Sequence, residues 1–236
     1  MKTYTLDYEH QGTTLEAFIA DDGNPGKKPV VLIAHAWAGR DDFACEKAKS
    51  IAELGYIGFA LDMYGKGIVG NSVEENSTLM SPFMKDRSLL RDRMIIALNA
   101  AKSLKNADTD KIVVMGFCFG GLCALDLARS GTDIQGVISF HGLLDAPEEL
   151  AANPIKAKIL VLHGYDDPMV PPKQLTSFLD EMTKAGADWQ CHAYGNTQHA
   201  FTNPQAKDIK LGTIYNAVAD KRSWGAMASF LEEVTL

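Results

Sequence analysis

No apolar run in this 236-residue chain approaches the ~20 residues of a bilayer-spanning helix, so a helical membrane anchor is not expected. Basic residues are outnumbered: 23 Lys and Arg face 30 Asp and Glu, a formal net charge of −7. A surface of that sign repels phosphate backbones and anionic headgroups, which argues against nucleic acid or a membrane as partner. Cysteine is sparse. Cys45, Cys118, Cys123 and Cys191 contain no CxxC pair, which speaks against a disulfide scaffold or a zinc ribbon and fits a reducing cytoplasm. The histidines show no HExxH-like spacing, so no metal is expected. The first nine residues lack the apolar core of a secretory leader. Repeats, low-complexity tracts and an interdomain linker are also missing, and the chain reads as one domain over residues 1–236.

What is present is the profile of a globular protein, with 46% hydrophobic and 22% charged residues. Residues 3–8 and 13–20 alternate about Gln11-Gly12 and read as an antiparallel hairpin. The apolar runs 29–34, 57–62, 112–115, 136–140 and 157–162 read as strands buried on both faces, with 189–194 as a further strand. Helical spacing is expected over 43–54, 84–104, 172–185 and about 212–234. Residues 84–104 form one long helix in this reading, preceded by a Gly-rich loop at 64–72. Strands alternating with helices predict a mostly parallel, doubly wound sheet flanked by helices. Function in such sheets gathers at the C-terminal strand ends.

One such end carries the most specific signal. Ile112 to Met115 runs into Gly116-Phe117-Cys118-Phe119-Gly120-Gly121 and then a helix-like segment. Strand, G-x-nucleophile-x-G, helix is a nucleophile elbow, with cysteine in the usual serine position. Glycines are needed because the turn is sharp enough for flanking side chains to clash. The helix that starts there points amide N–H groups at the thiol, which favours a thiolate and later an oxyanion. The alternative is a Gly-rich turn around a small buried cysteine. Other strands end in His35-Ala36-Trp37, in His163-Gly164-Tyr165-Asp166-Asp167-Pro168-Met169-Val170-Pro171 and in Gln198-His199-Ala200-Phe201. The order nucleophile, acid, histidine follows.

On Gly116–Gly121, the His163-to-Pro171 loop and His199-Ala200-Phe201, the chain resembles the dienelactone hydrolase family of α/β-hydrolases, from about residue 10 to 234. The resemblance implies an α/β-hydrolase fold with an N-terminal antiparallel hairpin and little or no cap domain. It implies Cys118 as nucleophile, His199 as base and Asp167 as orienting acid, with Asp166 the competitor for the acid role. It further implies backbone N–H groups of Trp37 and Phe119 as the oxyanion hole, and no cofactor. His35, His141 and His163 also end strands and are expected to pack beneath the site.

Two family features are missing. The family's dienelactone-specific members carry a glutamate where Ala36 stands, and an arginine for a substrate carboxylate where Asn203 stands. A direct thiolate–imidazolium pair between Cys118 and His199 is the expectation without that glutamate. Arg87, Arg91 and Arg93 are the candidate replacement cations, or else the solvated face of the long helix, paired with Asp86 and Asp92. The expected pocket is apolar, formed near Ala36, Tyr64, Phe83, Phe201 and Asn203, with Trp37, Phe119 and Met80 also candidates. It suits neutral, hydrophobic, activated esters or lactones as the small-molecule partner, with neutral phosphate triesters as a side activity. The protein is expected to be a monomer or small homo-oligomer. A dienelactonase proper (carboxymethylenebutenolidase) acting on an anionic lactone, a non-catalytic binding protein of the same fold and a redox-sensing thiol protein using Cys123 are the alternatives.

Overall fold

The computed structural model describes residues 1–147 and 154–236. An eight-stranded sheet forms its centre, from β1 (Lys2–His10), β2 (Thr13–Asp21), β3 (Lys28–Ala34), β4 (Ile57–Ala60), β5 (Ala107–Phe117), β6 (Gly136–Phe140), β7 (Lys158–Gly164) and β8 (Trp189–Tyr194). The spatial order is β1-β2-β4-β3-β5-β6-β7-β8. β1 and β2 form the expected hairpin, in register from Lys2 opposite Asp21 to His10 opposite Thr13. β2 joins β4 antiparallel, and every later pairing is parallel. Crossovers that leave both faces covered require strands without a polar face. β4 and β6 are accordingly buried at every residue.

Among the described residues six helices flank the sheet: α1 (Asp42–Glu53), α2 (Val73–Lys85), α3 (Arg87–Lys102), α4 (Phe119–Arg129), α5 (Pro172–Lys184) and α6 (Ala217–Thr235). Ala44, Ala48 and Ile51 of α1 and Met227, Phe230 and Leu231 of α6 pack one face of the sheet. Leu90 and Met94 of α3, Leu122 of α4 and Phe178 of α5 pack the other. No helix among the described residues is long and apolar enough to cross a membrane.

The expected single helix over 84–104 is two helices. Asp86 leaves helical geometry at φ −122°, ψ 91°, ends α2 and caps α3 by accepting the Leu89 N–H at 2.9 Å. The segment before it, expected as loop, is α2. Its start was legible: Ser72 accepts the Glu75 N–H at 3.1 Å, a Ser-x-x-Glu cap, and Leu79, Met80, Phe83 and Met84 follow at helical spacing. The closing helix starts at Ala217 rather than near 212, because Thr213-Ile214 pairs antiparallel with Lys207-Asp208 as a two-stranded clip, β9 (Lys207–Asp208) and β10 (Thr213–Ile214). Asn216 then caps α6 through the Val218 and Ala219 N–H groups.

Candidate active site

β5 delivers Phe117 and Cys118 to the C-terminal edge of the sheet, and α4 starts at the next residue. Cys118 sits at φ 55°, ψ −115°, in the left-handed region that a side chain tolerates poorly. The flanking glycines make the turn possible. A Cβ on Gly116 would overlap the Gly120 carbonyl, and one on Gly120 would overlap the Ala34 carbonyl at the end of β3. The elbow is closed by the Cys118 N–H donating to the Phe140 carbonyl at 3.0 Å. His141 (φ 39°) and Ala200 (φ 56°) are also left-handed, and both line the same cavity as Cys118. Strain thus collects around one space.

His199 reaches this space from the loop after β8. Its N–H donates to the Gly212 carbonyl and its carbonyl accepts from Ile214, both at 3.0 Å, so the two-stranded clip holds the loop. The His199 Nδ1–H donates to Asp167 Oδ2 at 2.7 Å, with both side chains almost fully buried. Asp167 is fixed in turn by accepting the Met169 N–H through Oδ1 at 2.8 Å. Asp166 instead accepts the Thr197 N–H at 3.2 Å and serves the turn. Of the two aspartates, Asp167 is the one that meets His199. The His199 Nε2 has no hydrogen-bond partner among the described residues. Burial lowers the affinity of His199 for a proton, but the charge of Cys118 and then the bond to Asp167 outweigh it. They push its pKa up to about 10.

The loop after β3 is pinned from behind. The His35 Nδ1–H donates to the Ala36 carbonyl at 2.6 Å, and His35 Nε2 accepts from the Met63 N–H at 3.1 Å, which fixes a neutral tautomer. The Tyr64 hydroxyl donates to the Trp37 carbonyl at 3.0 Å. Neither the Trp37 nor the Phe119 N–H donates a hydrogen bond to any described residue; Trp37 is half-buried and Phe119 fully buried.

A cavity of about 260 Å³ opens between these elements. Ala36, Trp37, Met80 and Asn203 line it, as do Asp41, Phe43, Phe117, His141, Leu143 and Met169. Tyr64, Phe83, Phe119 and Phe201 do not. Tyr64 and Phe83 are buried behind the wall, with ring centroids 5.7 Å apart, and both approach the Phe119 ring. Phe201 is fully buried against His141 and Tyr194. Aromatic composition near a motif does not reveal on which side of a loop a ring packs. Phe117 and Asp41 were open to sequence reasoning through their position beside the elbow and the Trp37 loop; Leu143 and Phe43 carry no such signal.

The three arginines of α3 lie elsewhere. Arg87 grips the buried Asp126 through two bonds of 2.6 and 2.8 Å, Arg91 pairs with Asp92, and Arg93 donates to the Met63 carbonyl and to His10. None lines the cavity. Cys123 is fully buried, and burial raises its pKa well above the ordinary thiol value. His141 touches His199 edge to face at 5.1 Å and shares a 2.8 Å bond between Nε2 and the Thr202 hydroxyl. Burial, and after it the charge of His199, holds His141 in its neutral form. His163 is buried with neither ring nitrogen partnered among the described residues, and burial lowers its pKa too. Among the described residues no three His, Cys, Asp or Glu side chains are grouped to hold a metal ion.

A parallel sheet reached through an antiparallel hairpin, a strained elbow between strand and helix, and a histidine and carboxylate delivered from later strands define an α/β-hydrolase fold. Solved structures agree. A dienelactone hydrolase-like promiscuous phosphotriesterase from metagenomic libraries superposes with a TM-score of 0.93 at 34% identity, over 99% of this chain and 98% of that one. A protein designated m3DLH superposes with a TM-score of 0.94 at 33% identity, over 100% and 99%. An uncharacterised Caenorhabditis elegans protein is 40% identical over 147 residues, 61% of this chain and 93% of its own length. The chain belongs to the dienelactone hydrolase family, whose model matches residues 15–235, and is a hydrolase of that family.

Proposed function

We propose that this protein hydrolyses neutral, hydrophobic, activated esters or lactones through a covalent acyl-cysteine intermediate, acting as one α/β-hydrolase domain over the whole chain. The observation that carries the reading is the buried 2.7 Å bond from His199 to Asp167, which leaves Nε2 unpartnered in the cavity that Cys118 lines. A proton retained on His199 pairs with a thiolate on Cys118, and the start of α4 adds its positive end to the sulfur.

The Cys118 thiolate attacks the carbonyl carbon. The Phe119 and Trp37 N–H groups receive the developing oxyanion; losing one such donor typically costs roughly 2.7–4 kcal/mol of transition-state stabilisation. His199 Nε2 gives its proton to the leaving oxygen as the tetrahedral intermediate collapses to a thioester. His199, now neutral, takes a proton from water, and the resulting hydroxide displaces the thiolate. The acid departs, His199 is again protonated, and no cofactor enters these steps. Asp167 holds the imidazole with Nδ1–H inward through both half-reactions.

The cavity supports a neutral substrate, since among the described residues it is lined by Trp37, Phe43, Met80, Phe117 and Leu143 and by no lysine or arginine. A carboxylate-bearing dienelactone would meet no counter-charge there except His199 itself. Phosphate triesters form a second reading, favoured by the phosphotriesterase described for one structural neighbour. In the corresponding steps the thiolate attacks phosphorus with the phosphoryl oxygen on the same two amides, the P–O bond to the leaving group breaks as His199 gives that oxygen its proton, and water deprotonated by His199 then displaces the thiolate to release the phosphodiester. The test is steady-state turnover of matched p-nitrophenyl esters, neutral and carboxylate-bearing, and of a neutral aryl phosphate triester, by wild type and Cys118→Ala. Turnover of neutral esters that is lost in Cys118→Ala supports the reading. Turnover that survives in the variant, or none with any substrate, contradicts it.

A further inference from the structure

We propose that the cavity is a charge filter set by Asp41, which admits neutral and cationic substrates and turns away anionic ones; this rests on the ester-hydrolase reading above. Asp41 lines the cavity beside Trp37 and Phe43. It stands at the N-cap of α1, where one carboxylate oxygen accepts the Ala44 N–H at 3.1 Å. The second oxygen accepts no hydrogen bond from any described residue, and Asp41 forms no ion pair among them. The adjacent cation, Arg40, does not neutralise it, since Arg40 is engaged by Glu16 and by Cys45. Lys47 is also outside the lining, its ammonium over the Phe43, Phe117 and Trp224 rings.

The remaining charges leave that bias in place, although Lys47 acts against it from behind the wall, where its charge reaches His141. Among the described lining residues His199 is the one cationic group, and the Asp167 carboxylate to which it donates offsets its charge. Asp41 is then the excess charge of the wall. The polar wall residues His141 and Asn203 are uncharged. A cationic group would therefore meet a free carboxylate oxygen and the indole of Trp37, a combination suited to ammonium groups. An anionic group would meet like charge in a partly desolvated space, where Coulomb terms exceed those in water.

The test reads the filter separately from ester turnover. Modification rates of Cys118 are measured with three methanethiosulfonates: cationic trimethylammonioethyl, anionic sulfonatoethyl and neutral methyl. Peptide mass mapping distinguishes Cys118 from Cys45, Cys123 and Cys191. Rates are divided by those of a free thiol and then by that of the neutral reagent. The cation-to-anion ratio in wild type is expected to be at least about tenfold, falling fivefold or more in Asp41→Asn and returning in Asp41→Glu. Asparagine caps a helix as well as aspartate, so α1 retains its bond and the comparison is one of charge. The ratio also shrinks in roughly 0.5 M salt, where screening acts within a few ångströms. Matched p-nitrophenyl esters bearing trimethylammonio and carboxylate tails should follow the same order when divided by the neutral ester. An unchanged ratio in Asp41→Asn overturns the filter even if esters are hydrolysed. The expected ratios with no ester turnover leave the filter standing and overturn the proposed reaction.

Discussion

Replacing Asp167 with asparagine removes one charge and reverses one hydrogen bond, and the consequences can be worked from the site. The carboxylate accepts from His199 Nδ1 at 2.7 Å, and both side chains are out of solvent. A hydrogen bond to a charged partner is worth about 1.5–3 kcal/mol, and opening a buried pair by deleting one member costs about 3–5 kcal/mol. An asparagine that turns its NH₂ toward the ring stabilises the wrong tautomer, with Nε2–H facing Cys118, and the base for deacylation is gone. The loss in kcat should be on the order of 10³–10⁴, the scale seen when a triad acid is neutralised. The pH profile moves as well. The pKa of His199 stands at about 10 because the charge of Cys118 and the bond to Asp167 outweigh burial. Without Asp167 the midpoint falls toward the ordinary value near 6.5, so the alkaline limb of kcat shifts to lower pH. Steady-state hydrolysis of a neutral p-nitrophenyl ester from pH 5 to about 10.5 reads both effects. Asp166→Asn is the comparison, since Asp166 only holds the Thr197 turn. Asp167→Asn within threefold of wild type, with its alkaline limb unmoved, would refute the role given to this carboxylate.

Three further outcomes follow from the same contacts. Gly120→Ala places a methyl against the Ala34 carbonyl, an overpacking that costs about 1–3 kcal/mol and lowers Tm by roughly 2–12 °C for a chain of this size; differential scanning calorimetry reads it. Tyr64→Phe deletes the 3.0 Å bond to the Trp37 carbonyl and frees the loop after β3, the one proposed to hold the oxyanion, so kcat should fall about 2- to 12-fold with KM little changed, the equivalent of one hydrogen bond. Because the folded-state pKa of His199 is raised from 6.5 to about 10, its contribution to stability is complete below about pH 6.5 and fades as pH rises through 10. Urea unfolding at pH 7 and 10 should therefore show a loss of stability in wild type that is smaller in Cys118→Ala, where the first charge that raises His199 is absent.

Legibility in the sequence followed the strength of the steric or polar demand. The elbow was visible because only glycine fits at Gly116 and Gly120 beneath neighbouring carbonyls. The strands were visible because a sheet covered on both faces tolerates no polar alternation, as in Ile57–Ala60 and Gly136–Phe140. Asp166 and Asp167 were not separable by residue type, since either can start a turn; the approach of His199 separates them. Helix α2 was missed although Ser72 and Glu75 stand at capping distance, because Gly65, Gly67 and Gly70 just before them suggested a continuing loop. Tyr64, Phe83 and Phe201 were expected in the cavity and lie behind its wall, since periodicity cannot orient a ring on an irregular segment. Spacing within α3 offers its arginines only Asp86 and Asp92 as partners. Arg87 answers a buried aspartate on α4, 39 residues away, which spacing within one helix cannot reveal.

The central claim is that Cys118 carries the acyl group. Intact mass spectrometry of wild type and Cys118→Ala, quenched in acid shortly after mixing with a neutral p-nitrophenyl ester, tests it most directly. The account predicts a mass increase equal to one acyl group on wild type, mapped to the peptide containing Cys118, with a matching burst of nitrophenol and neither signal in the variant. Steady nitrophenol release from Cys118→Ala at the wild-type rate, or an adduct on a different residue, would contradict it.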